Sequence, residues 1–144
     1  MRLHRATRLA LYAVLELAAT PERQVSAADI AAKFGVSINH LAKVLRDLGR
    51  ANLVEAVRGA GGGYRFCGNV RRTTLKDVIE IFEPENGAEG NAEPGAQTEF
   101  GAALAVVFDE IDDIARATLD SITLETMLKL THRIQKREQR QDVA

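Results

Sequence analysis

The sequence predicts a mainly α-helical chain with a small β-wing: a winged helix-turn-helix head followed by a long dimerisation helix. Three observations predict it. Residues 26–51 carry helical apolar spacing broken once by a glycine, residues 53–66 read as two short strands around a glycine-rich tip, and residues 100–119 carry a narrow apolar seam on an acidic helix.

The opening stretch, MRLHRATRLALYAVLELAAT, sets Leu9, Tyr12, Ala13, Leu15, Leu17 and Ala18 on a broad apolar stripe and ends at Pro21, so it is read as the first helix. Arg2, Arg5 and Arg8 at its start oppose the helix macrodipole. Either phosphate contact, which makes Arg2 a candidate DNA ligand, or plain solvation must favour them there.

Next comes SAADIAAKFGVSINHLAKVLRDLGRANLV, with apolar or small residues at Ile30, Ala31, Phe34, Val36, Leu41, Val44 and Leu45. The single break at Gly35 makes two helices meet there. Small Ala31 permits a close crossing, Gly35 supplies the turn, Ser26 caps the first helix with Asp29 in its first turn, and Ser37 caps the second. A second helix over 38–51 turns Ile38, Leu41, Val44, Leu45 and Leu48 to the core. Ser37, Asn39, His40, Lys43 and Arg46 are left outward or lateral. Ser, Asn and His can read base edges, and Lys and Arg can meet phosphates or guanine, so these five are candidate DNA contacts. A solvated His40, or a two-helix corner that touches no nucleic acid, would carry the same pattern.

The wing favours the DNA reading. In LVEAVRGAGGGYRFCGN, Arg58 and Arg65 bracket a tip containing Gly59, Gly61, Gly62 and Gly63, which permits close approach to a ligand backbone. Arg58, Gly61, Gly62, Tyr64 and Arg65 are therefore candidates for a minor groove or a phosphate backbone. A nucleotide-binding loop does not fit: no Lys-Ser or Lys-Thr follows, Tyr64 stands where the dinucleotide fingerprint needs glycine, and the strand-then-helix setting is missing.

Beyond the wing, TLKDVIEIF predicts a short amphipathic helix, and PENGAEGNAEPGAQTE a flexible acidic, glycine-rich loop. In the helix over 100–119, Leu104, Val107, Ile111, Ile114 and Thr118 step by three and four, with Phe108 and Ala115 widening the seam and Asp109, Glu110, Asp112 and Asp113 on its flanks. Leu104, Val107, Phe108, Ile111 and Ile114 are assigned to a homodimer contact, because a two-fold partner would bury them and match a two-fold operator; packing back on the chain's own head is the alternative. The organisation is thus a head over 1–83, a loop over 84–99, a dimerisation helix and short C-terminal helix over 100–130, and a polar tail over 131–144 that should fray.

Charge distribution agrees. Although the net charge is −1, residues 1–72 hold 12 Lys/Arg against 5 Asp/Glu (+7), residues 73–130 hold 3 against 13 (−10), and residues 131–144 hold 4 against 2 (+2). A basic front and an acidic back present one face to double-stranded DNA. With no signal-peptide pattern, no apolar run of about twenty residues and a single Cys67, the expectation is a cytoplasmic protein without membrane contact. No Ser/His/Asp or Cys/His set assembles without mixing head and tail, so no enzyme is expected, and His4, His40 and His132 lie too far apart to suggest a metal site.

These segments (the start MRL, the turn ending in GVS, the wing LVEAVRGAGGGYRF, the TLKDVIEIFE helix and the closing SITLETML) resemble the IscR/NsrR family of bacterial winged-helix transcription regulators over residues 1 to about 130. The VRGxGGGY wing is the most specific part. The resemblance implies a homodimer that docks the second helix of the helix-turn-helix in adjacent major grooves and the wing arginine, here Arg58, in the minor groove. For many relatives it also implies an iron-sulfur cluster held by three cysteines in the loop before the long helix. This chain departs from that pattern. Its loop offers only Glu85, Glu89, Glu93 and Glu99, hard oxygen ligands unsuited to a cluster; Arg8 replaces an acidic ligand of some relatives and Tyr12 a histidine of others. The expectation is therefore a cluster-free repressor. The alternatives are a cluster-binding redox, iron or nitric-oxide sensor with non-cysteine ligands or substituted cysteines, for which Ala88, Ala92 and Ala96 are compatible positions, and a regulator whose head docks a metabolic enzyme. Control would come from a small molecule between head and long helix, from a protein partner, or from Cys67, read either as a redox handle whose thiolate Arg65 favours or as a small packing residue.

Overall fold

A computed structural model describes residues 2–83 and 93–143. The predicted first helix is α1 (Arg5–Ala19), whose Leu9, Ala10, Ala13, Val14 and Leu17 form one buried face on which the other elements of the head pack. α2 (Ala27–Phe34) and α3 (Ile38–Arg50) make the helix-turn-helix. Each is capped as expected: the Asp29 N–H donates to Ser26 Oγ and the His40 N–H to Ser37 Oγ, both at 3.1 Å. Gly35 adopts the left-handed conformation, φ 65°, and the Val36 N–H turns back to the Ala31 carbonyl at 3.0 Å. Leu41, Val44, Leu45 and Leu48 bury α3 against the core, each burial stabilising by about 1.5–3 kcal/mol.

Ile38 departs from its expected core position and is 53% exposed. Its angular position matches that of Leu45, but it is the first residue of α3, and helical side chains lean toward the N-terminus, so it overhangs the end of the packed layer. Asn52 closes α3 in the left-handed region at φ 59°, a conformation asparagine tolerates better than most residues.

The wing is an antiparallel pair, β1 (Val54–Val57) and β2 (Gly63–Phe66), with Val54 opposite Phe66, Glu55 opposite Arg65, Ala56 opposite Tyr64 and Val57 opposite Gly63. Val25, from the segment before α2, adds a third edge: its N–H donates to the Tyr64 carbonyl at 2.9 Å and the Tyr64 N–H donates back at 2.8 Å. This ties the wing to the start of the helix-turn-helix. Gly63 makes the approach possible, since a Cβ there would lie 2.5 Å from the Val25 carbonyl oxygen.

α4 (Leu75–Phe82) starts in a reciprocal capping box between Thr74 and Asp77 and buries Val78 and Ile79. α5 (Glu99–Asp120) leaves the head with no buried residue, and α6 (Leu124–Asp142) returns to it. Leu124 is fully buried among the head residues, and its N–H donates to the Thr73 carbonyl at 2.9 Å. The short C-terminal helix expected beside the dimerisation helix therefore begins as part of the head. The tail expected to fray over 131–144 is helical as far as Asp142, because it lacks glycine and proline and is rich in Arg, Lys, Gln and Glu. Of the loop expected over 84–99, residues 84–92, with Glu85, Ala88, Glu89 and Ala92, lie outside the described residues. Residues 93–98 form a turn against α5, where the Thr98 hydroxyl donates to the Gly95 carbonyl at 2.6 Å.

Candidate nucleic-acid interface

α3 and the wing face each other across a groove of about 460 Å³, lined on one side by Lys43, Arg46 and Gly49 and on the other by Val54, Ala56 and Tyr64. Lys43 and Arg46 are exposed, and neither is in an ion pair among the described residues. Asn39, one turn earlier, is also exposed. The first turn of α3 contains no acidic residue, so the partial positive charge of its free amides is not cancelled locally. Solvated cations, an amide side chain and a positive helix end thus occupy one edge of the head.

The structure separates the other predicted contacts by what already holds them. Ser37 uses its hydroxyl oxygen as the α3 cap. His40, expected to lie outward or lateral on α3, takes the lateral place: it is half-buried, with Nε2 buried and without a hydrogen-bond partner among the described residues. It lies four residues before buried Val44 and so flanks the core rather than the groove. Arg65 pairs across the strands with Glu55, its Nε–H donating to Oε1 at 2.7 Å, which leaves Arg58 as the wing cation without an ion pair among the described residues. Gly61 stands in open space at φ 75°. Gly62 is required by the tip itself, where a Cβ would lie 2.6 Å from the Val57 carbonyl oxygen. Arg2 is not in this constellation: with Leu3 it lines a separate cleft of about 530 Å³ between α4 and α5, beside Lys76, Asp112 and Arg116.

Glu83 was not found from the sequence. Its Oε1 accepts the His4 N–H at 2.7 Å and the hydroxyl of fully buried Thr7 at 3.0 Å, placing a carboxylate at the N-terminus of α1. This acid opposes the otherwise unfavourable Arg5 and Arg8 of the first turn. Thr7 on the buried stripe was the available signal, since a buried hydroxyl needs a partner.

Cys67 is exposed at the end of β2, and its thiol donates to the Asn52 carbonyl at 3.5 Å. The expectation that Arg65 favours the thiolate is corrected. Partial burial of the thiol, followed by the Glu55 carboxylate, pushes its pKa up, and the opposing pull of Arg65 is the weakest of the three influences. On α5, Leu104, Val107, Phe108, Ile111 and Ile114 are all at least half exposed, so none packs back fully on the chain's own head. Val106, 68% exposed, lies outside the predicted seam on another side of the helix.

The Rrf2 family model, described as an iron-dependent transcriptional regulator, matches residues 3–130. The chain is 53% identical over 130 residues, covering 90% of its length and 83% of the relative's, to BadM of Rhodopseudomonas palustris, which is described as an HTH-type transcriptional regulator. Among solved structures it is similar to IscR of T. potens, with a TM-score of 0.76, 27% identity and coverage of 94% of this chain and 91% of that one. The oxidised form of CymR from Staphylococcus aureus gives a TM-score of 0.72 at 26% identity, covering 89% of this chain and 96% of that one. CymR of B. subtilis, described as the global cysteine regulator, gives 0.63 at 27% identity, covering 90% and 98%.

Proposed function

The chain belongs to the Rrf2 family of DNA-binding transcriptional regulators, and from that premise we propose that it acts as a homodimeric, sequence-specific repressor working without an iron-sulfur cluster. The observation that carries the reading is the α3–wing edge: Lys43, Arg46 and Arg58 without ion pairs among the described residues, and exposed Asn39 at the start of α3. Asn39 supplies base discrimination in a major groove, and the cations supply the phosphate and minor-groove attraction that holds the head in register. The exposed α5 seam of Leu104, Val107, Phe108, Ile111 and Ile114 supports the dimer, since a contiguous apolar stripe of that length is poorly tolerated in water.

The donor set does not fit the iron chemistry in the family's description. The only thiol is Cys67, beyond the wing and outside the loop before α5, and one thiol cannot supply the several thiolates that hold a cluster. Arg8 is exposed and cationic, and Tyr12 is stacked on Phe34 with ring centroids 5.2 Å apart. Control then falls to a protein partner or a small molecule, for which the cleft between α4 and α5 offers room. Among the described residues, no helix is long and apolar enough to cross a membrane.

Selection of genomic fragments at about 150 mM salt should return a two-fold motif with half-sites about one helical turn, roughly 10 base pairs, apart or a multiple of it. Recovery of no shared motif would sink the proposal. Arg58→Ala should weaken binding to every sequence and lower the salt slope by about one, whereas Asn39→Ala should relax preference at one position. Anaerobically purified protein should be colourless, with DNA affinity indifferent to nitric oxide; a stable brown, iron-loaded dimer refutes the cluster-free part.

A further inference from the structure

Past residue 130, where the family match ends, α6 continues for about three turns, and residues 129–143 are exposed throughout. Lys129, Arg133, Lys136, Arg137 and Arg140 follow at steps of four, three, one and three, which gathers five cations within about 100° of the helix circumference. Leu130 and Ile134, 45% and 48% exposed, form the adjoining stripe. Of the five cations, only Lys129 is in an ion pair among the described residues, with Glu125 at 3.4 Å.

α5 carries a complementary face. Its contact with its own head is marked by half-buried Ala115 and Leu119, which line the cleft with α4. Val106, Glu110 and Asp113 follow at steps of four and three on the side turned away from that contact, next to exposed Ile114. Neither Glu110 nor Asp113 is in an ion pair among the described residues.

We propose that the distal part of α6 from one copy lies along the Val106–Glu110–Asp113 face of α5 in a second copy, with Arg133 and Arg137 against Glu110 and Asp113 and with Leu130 and Ile134 against Val106 and Ile114. The contact rests on the homodimer reading and borders the Leu104–Ile114 seam, sharing Ile114 at its edge. DNA is the competing polyanion for the basic ribbon. The exposed Leu130 and Ile134 favour a protein surface, because a phosphate backbone offers them no apolar counterpart, and the acidic α5 face of this chain supplies both chemistries.

The test is self-association of the full chain, measured by analytical ultracentrifugation at low and high salt, with DNA affinity read in parallel. Arg133→Glu with Arg137→Glu should weaken the dimer at least about ten-fold, each pair occurring twice by symmetry, and Glu110→Lys with Asp113→Lys should do the same. The four changes combined should restore association to within about three-fold of wild type and keep helical content. Failure of the combined variant to recover, or a reversed α6 that dimerises normally and loses only DNA affinity, overturns the inference and leaves the homodimer standing. A wild-type chain that stays monomeric at high concentration overturns both.

Discussion

Gly63→Ala isolates the tie between wing and helix-turn-helix. The new Cβ would meet the Val25 carbonyl oxygen at 2.5 Å, the Val25 carbonyl carbon at 2.7 Å and the Ser26 nitrogen at 2.9 Å, all backbone atoms that cannot rotate away. Relief requires the Val25 segment to part from β2, which removes the two hydrogen bonds at 2.8 and 2.9 Å, each worth a net of about 0.5–1.5 kcal/mol. Displacement of Ser26 also disturbs the α2 cap, worth about 1 kcal/mol more. The expected loss is roughly 2–4 kcal/mol, or about 7–13 °C in Tm for a chain of this size. Urea unfolding at fixed protein concentration measures it, with Gly61→Ala as the control. Gly61 has φ 75° and no neighbour within 4 Å, so that change should lose only about 1 kcal/mol through backbone strain. At temperatures where both variants remain folded, Gly63→Ala should also lower DNA affinity, since the wing no longer holds its angle to α3. A Gly63→Ala midpoint no lower than that of Gly61→Ala would refute the close-approach argument.

Glu83→Ala should destabilise by about 1–3 kcal/mol, because it leaves the buried Thr7 hydroxyl and the start of α1 without their acceptor, while Glu83→Gln should retain most of the stability; an unchanged unfolding midpoint for the alanine variant would contradict this. Leu124→Ala, although in the C-terminal helix, should lose about 2–5 kcal/mol as a core deletion, and a loss below about 1 kcal/mol would mean that α6 does not dock on the head. Cys67 should react with alkylating reagents more slowly than free cysteine near neutral pH and accelerate only as pH climbs above the usual thiol range; a rate that levels off below about pH 8 would reverse that reading. The raised folded-state pKa also sets a sign for stability: the contribution is present below the unfolded thiol value of about 8.5 and fades as pH rises through the folded value, and Cys67→Ser should remove that alkaline slope.

The elements whose signals are local were legible in the sequence. Caps at Ser26 and Ser37, the turn at Gly35 and the hairpin around 58–62 each depend on neighbours within a few residues, and the structure reproduces them. What escaped depends on pairs far apart in sequence. Glu83 reaches α1 from 76 residues beyond Thr7, and Leu124 is buried because the chain returns to the head after α5, a path that helical periodicity does not encode. The two wing arginines show how a site can be half legible. Arg58 and Arg65 look equivalent as flanks of a basic tip, yet the hairpin register sets Glu55 opposite Arg65 and nothing acidic opposite Arg58, which lies in the tip beyond the last pair, Val57 and Gly63. One cation therefore holds the wing together while the other stays available at its end. Composition counts both charges alike, and only the cross-strand pairing separates them.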